Sequence, residues 1–220
     1  MLKFKSKVKG TLRRDVLDPH KGFDNKSELS VIGKVKVLFE QMHEALGINL
    51  DDPNSSGTPL RAAKAYVMEF FGGLNRDNCP KMTVFPNNRN IDAIVLVEIN
   101  YFHSVCAHHW APFTGSAWIG YIPGKSVLGL SKFARLLDFY ANRPQIQENL
   151  TSDVADHLED ILQPIALGVV IQAGHSCMCA RGVKKHGQTM TSALRGAFLK
   201  KPEARKEFFD MIAQSRKSNG

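Results

Sequence analysis

Two short clusters hold the residue types that bind metals and move protons. Cys106-Ala107-His108-His109 contains a Cys-x-x-His step, which sets two soft ligands on one tight turn and is a common zinc half-site. About seventy residues further on comes His175-Ser176-Cys177-Met178-Cys179. Each cluster follows a β-branched, apolar run, so two predicted strands can bring them to one edge of a sheet. Cys106, His109, Cys177 and Cys179 could close a four-coordinate structural zinc. That arrangement leaves His108 and His175 without a task. A catalytic zinc uses three protein ligands, keeps a position for water and needs proton-transfer groups beside it. The spare histidines meet that need, and spacing alone leaves both arrangements open.

Three other patterns carry weaker chemistry. Gly120-Tyr121-Ile122-Pro123-Gly124-Lys125-Ser126 has three residues between its glycines where a phosphate loop needs four, so a tight turn is expected. His157-Leu158-Glu159 taken with Cys177 and Cys179 has part of the zinc nucleobase deaminase signature but lacks Pro-Cys-x-x-Cys. His157 is therefore read as a packed helix histidine. Ser131 and Arg135 lie one turn apart with Lys132 beside them, and Arg61 and Lys64 repeat the idea at i, i+3. An ammonium and a guanidinium fork suit polyphosphate oxygens, although a solvated helix face has the same composition.

The elements that must position these residues follow from the periodicity. At 220 residues, 43% apolar and 23% charged, the chain has ordinary globular composition. No apolar run approaches the roughly 18–20 residues of a membrane span, and Met1-Leu2-Lys3-Phe4-Lys5 opens no secretory signal. A cytoplasmic, reducing setting is expected, with the cysteines as thiols or metal ligands. Of the net charge of +8, most sits in residues 1–26, which carry eight Lys or Arg against three Asp. This basic tail is expected to be solvated and flexible, or, where Lys3, Lys5, Lys7 and Lys9 alternate with apolar residues, a lysine-protected edge strand. Val31, Val35, Leu38, Met42 and Leu46 predict one helix. Thr58-Pro59 opens a second, with Leu60, Ala63, Val67, Phe70 and Phe71 inward and Gly72-Gly73 as the stop. Residues 75–92 read as loop. Strands are predicted at 94–102, 116–121, 167–173 and 190–198. Helices are predicted with Leu130, Phe133, Leu137 and Ala141 inward, then Val154, Leu158, Ile161, Leu162 and Ile165, and last Ala204, Phe208, Met211 and Ile212 after Pro202. The order argues α+β, an antiparallel sheet with helices on one face preceded by N-terminal helices. The divisions are a tail (1–26), a helical region (27–92) and a catalytic domain (93–220).

Taken together, Cys106-Ala107-His108-His109, Gly129-Leu130-Ser131-Lys132-x-x-Arg135, Arg143-Pro144-Gln145-x-Gln147-Glu148, His175-x-Cys177 and Ala180-Arg181-Gly182 resemble, in order and spacing, the GTP cyclohydrolase I family. The resemblance also takes in Thr58-Pro59-x-Arg61-x-Ala63-Lys64 and runs from Val31 to the C-terminal helix. It implies the tunnelling fold, a homo-oligomer that is typically a decamer with active sites at subunit interfaces, and conversion of GTP and water to 7,8-dihydroneopterin triphosphate and formate. It implies Zn2+ held by Cys106, His109 and Cys177, with Cys179 outside the ligand set. In that scheme zinc lowers the pKa of its water from about 15.7 to near 7, and the hydroxide attacks C8 of guanine. His108 protonates N7, and His175 is the second proton-transfer group. Ser131 assists at the ribose, Glu148 reads N1–H and the 2-amino group, and Gln147 helps hold the base. Lys132, Arg135, Arg181, Arg61 and Lys64 grip the triphosphate. Two departures stand out: Ala107 replaces a Glu common in the family, and Val97-Glu98-Ile99-Asn100 differs from its usual strand. The competing readings are a deazapurine reductase-like enzyme, which needs a nucleophilic cysteine and a nicotinamide cofactor, and a zinc-stabilised protein whose basic tail binds nucleic acid.

Overall fold

The computed structural model describes residues 21–218. Residues 1–20, including the Lys3 to Lys9 alternation, lie outside them. The last part of the expected tail is tied down: Phe23 donates its amide to the Leu74 carbonyl at 3.1 Å and accepts from the Arg76 amide at 2.9 Å. Ser27 then donates its amide and its hydroxyl to Asp24 Oδ1, at 2.9 and 2.7 Å, and helix α1 (Glu28–Ala45) begins.

Helix α1 packs on α2 (Thr58–Lys64), but not with all of the stripe that its sequence suggests. Ile32, Val31, Val35 and Phe39 meet Ala63 and Val67, while Leu38 and Leu46 are 63% and 67% exposed. Apolar residues run around more than one face of α1, so its partner decides which face is buried. Pro59 sits in the first turn of α2, and the helix continues as a π-helical turn over Ala65–Phe70. Gly73 then passes so close to the next layer that its amide donates to the Asn142 carbonyl at 2.8 Å. A Cβ there would stand 2.8 Å from that same oxygen.

Seven strands follow: β1 (Val84–Pro86), β2 (Val95–Cys106), β3 (Pro112–Ile122), β4 (Ser126–Leu128), β5 (Pro144–Gln145), β6 (Ala166–His175) and β7 (Gln188–Gly196). β1 lies inside the segment read as loop and pairs antiparallel with β4; it is too short and too exposed to show a period. The main sheet has the order β5-β2-β3-β6-β7, antiparallel except for the short β2/β5 pair. Helices α3 (Ser131–Ala141) and α4 (Gln147–Leu162) cover one face, where Phe133, Leu137, Leu150, Val154 and Leu158 join Ala117, Ile119, Val169 and Ile171 in the main core. Leu130 and Ile165, expected inward, are 63% and 55% exposed because each falls just outside its helix. His157 is buried and its Nδ1 meets the Tyr140 hydroxyl at 2.9 Å, as a packed helix histidine should.

Two single turns, α5 (Ser176–Cys179) and α6 (Ala197–Lys200), precede the C-terminal helix α7 (Pro202–Ser218). It closes part of the opposite sheet face with Phe208 and Ile212 against Trp118 and Val170. The Phe208 ring rests on Gly120 and Gly168, which are cross-strand partners on β3 and β6. A Cβ at either position would come within 2.5 Å of the ring. Ser215 of α7 donates to Glu98, the acidic residue of the unusual β2 segment. No helix among the described residues is long and apolar enough to cross a membrane.

Candidate active site

β3 carries the two chemical clusters to the same end of the sheet. Val105 on β2 pairs with Pro112, and Phe113 pairs with His175 on β6. Both strands that flank β3 run longer than the apolar pattern alone predicts, β2 as far as Cys106 and β6 as far as His175. The β3 ladder holds polar positions such as His103 and Ser104 in extended form.

The Cys106 turn is closed by backbone bonds. The Cys106 carbonyl accepts from the His109 and Trp110 amides at 3.4 and 2.9 Å, and the Cys106 amide donates to the Ala111 carbonyl at 2.9 Å. Trp110 takes a left-handed φ of 52° to complete the reversal. Its ring stacks on Tyr66 at 6.0 Å and meets the edge of Phe71 at 4.9 Å, fastening the turn to the N-terminal helical layer. The Ala107 amide donates to the Gln145 carbonyl at 2.9 Å, so β5 buttresses the turn from the other side.

Cys106, His109 and Cys177 bring one ligand atom each to within 4.8 Å of one another. Zinc–sulfur and zinc–nitrogen bonds at tetrahedral angles place ligand atoms about 3.5–3.8 Å apart, and Cys106 Sγ lies 3.9 Å from His109 Nδ1. Two thiolates and an imidazole suit zinc. Burial, and then the neighbouring Cys106 sulfur, push the Cys177 thiol up, while the nearby Arg181 charge pulls it down. A divalent cation offsets the burial and the neighbouring sulfur that disfavour the Cys177 thiolate, so the donor set fits the metal. His108 Nδ1 is as close to Cys106 Sγ, at 4.0 Å, yet His108 does not share the three-residue cluster with Cys177. Cys179 also stays outside it, which leaves a three-ligand site among the described residues rather than a closed four-ligand one.

His175 stands beside this cluster with its ring stacked on Phe113, centroids 4.7 Å apart and planes 16° from parallel. Burial holds its imidazole below the ordinary value, and the Glu148 carboxylate opposes that shift. Glu148 is exposed in the first turn of α4. Gln147, expected to hold a base, is instead 2% exposed, and both ends of its amide are engaged within the chain, Oε1 by His175 Nε2 at 2.8 Å. Its place at the start of an amphipathic helix turns it inward. Phe113 is a site residue that the sequence reading missed, because an apolar strand position carries no chemical signature.

Ser131, Lys132 and Arg135 lie together on α3. Ser104, two residues before Cys106, donates its hydroxyl to the Ala141 carbonyl at 2.6 Å, so the C-terminal end of α3 packs on β2 just before the Cys106 turn. Ser131 begins the same helix, about 15 Å back along its axis at 1.5 Å per residue. Lys132 and Arg135 line a cavity of about 390 Å³ with Lys81, Asp138 and Asn142. Lys81, which the sequence reading passed over inside a loop, makes a third cation there. Arg61 and Lys64 are exposed on α2, with Arg61 Nη2 donating to the Thr58 hydroxyl at 3.1 Å.

The sequence profile of the GTP cyclohydrolase I family matches residues 35–213. A protein of Flavobacterium johnsoniae named GTP cyclohydrolase 1 is 37% identical over 210 residues, covering 95% of this chain and 91% of the relative. Proteins of the same name from Bacillus subtilis and Thermobifida fusca are 44% and 45% identical, covering 81% and 76% of this chain and 94% and 82% of their own lengths.

Proposed function

The chain belongs to the GTP cyclohydrolase I family, and from that premise we propose that it converts GTP and water to 7,8-dihydroneopterin triphosphate and formate at a zinc centre held by Cys106, His109 and Cys177. Its α+β architecture is the family's tunnelling fold. The observation that carries the assignment is the convergence of those three ligand atoms within 4.8 Å, with His108 Nδ1 4.0 Å from Cys106 Sγ and His175 two residues before Cys177. A closed structural site would give two neighbouring proton-transfer groups nothing to do.

When bound, zinc supplies the Lewis acidity that makes water nucleophilic near neutral pH. The remaining work falls to side chains. Glu148 accepts from N1–H and the 2-amino group of guanine, a donor pair adenine lacks, and leaving such a carboxylate unpaired can cost about 10⁴–10⁵ in discrimination. His108 donates a proton to N7 as the imidazole ring opens. His175 moves the proton needed to release formate. Arg181, close enough to Cys177 to favour its thiolate, grips the triphosphate.

Ser131 at the ribose and Lys132, Arg135, Arg61 and Lys64 on the triphosphate act on the site of another copy of the chain. For the α3 residues the axial distance supports this, because Ser131 begins that helix about 15 Å from the end that packs beside Cys106. The assembly is therefore a homo-oligomer, a decamer in this reading, working in the cytoplasm. Nothing in the site favours a nicotinamide-dependent reductase or a nucleic-acid-binding role.

Incubation of the zinc-loaded protein with GTP tests the proposal. Formate and a pterin that fluoresces after oxidation should appear in equal amounts, and native mass spectrometry should give a multimer with one zinc per chain. Zinc-loaded oligomer that releases no formate from GTP would overturn it.

A further inference from the structure

We infer that Gln147 is a positioning residue, whose locked amide accepts from His175 Nε2–H and, with the Phe113 ring, holds the imidazole in one orientation. The inference rests on the assignment of His175 to proton transfer, and it replaces the expectation that Gln147 touches the base.

A primary amide offers donors at nitrogen and only acceptor capacity at oxygen. Gln147 Nε2 lies 3.1 Å from the Ile171 carbonyl, 3.0 Å from the Thr189 carbonyl and 3.1 Å from Thr191 Oγ1. Carbonyls cannot donate, so the amide nitrogen must occupy this end. The flipped amide would set its oxygen against two carbonyl oxygens at a side chain 2% exposed, where unpaired polar atoms are costly.

The hydroxyls agree with that orientation. Thr151 donates to the Gln147 backbone carbonyl at 2.7 Å, so its oxygen must accept from Thr191, 2.6 Å away. Thr191, having donated to Thr151, has only acceptor capacity left for Gln147 Nε2, whose two hydrogens are shared among three acceptors. The donors therefore run in one direction, from the Gln147 side chain through Thr191 and Thr151 back to the Gln147 main chain.

With the nitrogen fixed, Gln147 Oε1 faces His175 Nε2 at 2.8 Å. An amide oxygen only accepts, so Nε2 carries the hydrogen, and in the neutral ring Nδ1 holds the lone pair. Phe113, stacked at 4.7 Å, fixes the plane of the ring while Gln147 fixes its rotation. The signal is tertiary: α4 supplies the amide, β6 and β7 supply the acceptors, and β3 supplies the aromatic face.

Two measurements test this. Neutron diffraction from the wild-type, deuterated holoenzyme at neutral pH should show deuterium on His175 Nε2; neutral His175 with deuterium on Nδ1 instead would overturn the inference. Gln147→Met, which keeps the shape and removes every bond, should lower kcat for formate release by about 10–100-fold, the scale of losing a group that orients a working imidazole. The KM for GTP should stay within about threefold and zinc content should be unchanged. A raised KM with kcat preserved would mean that Gln147 holds the base, and the inference fails. The neutron result decides even if the variant does not fold. Absence of formate from the wild-type enzyme would instead count against the proposed reaction, leaving the proton's position to be read independently.

Discussion

Two adjacent histidines stand almost equally close to one sulfur, His108 Nδ1 at 4.0 Å and His109 Nδ1 at 3.9 Å from Cys106 Sγ, yet only His109 also reaches Cys177. His109→Ala and His108→Ala should therefore fail in different ways. Structural zinc in four-ligand sites binds with about 10–16 kcal/mol, or roughly 2.5–4 kcal/mol per ligand. Removing one of the three ligands should weaken zinc about 10²–10³-fold, at 1.4 kcal/mol per decade. His108→Ala removes a proton donor rather than a ligand, so zinc affinity should stay within about threefold. Formate release should fall by about 10²–10⁴-fold, the usual worth of a general acid. The assay is competition for zinc against a chromophoric chelator, run beside formate release on the same preparations, with circular dichroism to confirm folding. If His108→Ala loosened zinc as much as His109→Ala, the division between ligand and proton donor drawn from the Cys177 distance would be wrong.

Three further outcomes are expected. Glu148→Gln puts an amide donor where guanine presents two donors, so kcat/KM for GTP should drop by about 10²-fold, the worth of one strong charged hydrogen bond; an unchanged value would remove Glu148 from base recognition. Gly168→Ala drives a Cβ to 2.5 Å from the Phe208 ring and should cost about 1–3 kcal/mol, whereas in a Phe208→Ala background, itself costing about 3–5 kcal/mol, that extra cost should vanish. Thermal unfolding of the single and double variants reads the coupling, and additive losses would refute the contact. Burial raises the Asp138 carboxyl above 3.8, with His103 opposing. Just above 3.8 the folded chain holds a proton that the unfolded chain has released, so this group's contribution is present at low pH and lost as pH rises through its folded value. Asp138→Asn should accordingly raise Tm relative to wild type by a margin that widens from about pH 4 to about pH 7, and a margin that narrows would contradict the assignment.

Chemistry that depends on local spacing was legible in the chain itself. Cys-x-x-His fixes two ligands on one turn wherever that turn is placed, and the surplus of histidines already favours an open site over a closed one. Strand cores, the main helices and the α+β class follow from periodicity, because alternation and 3.6-residue repeats are properties of consecutive residues. Packing partners are not. Leu38 of α1 and Leu46 just past its end stay exposed because the opposing helix meets Ile32 and Phe39 instead, and no pattern within α1 alone selects between those faces.

The same limit applies within the site. His108 and His109 are equivalent by spacing, and only the pairing of β6 alongside β3 brings Cys177 to one of them. Gln147 looks in sequence like a partner of Glu148. Its burial beneath β6 and β7, with carbonyls of two strands converging on its nitrogen, turns it toward His175. The residue types and the reaction were written along the chain. Which atom faces which depended on long-range strand pairing, since hydrogen-bond direction is set by neighbours far apart in sequence.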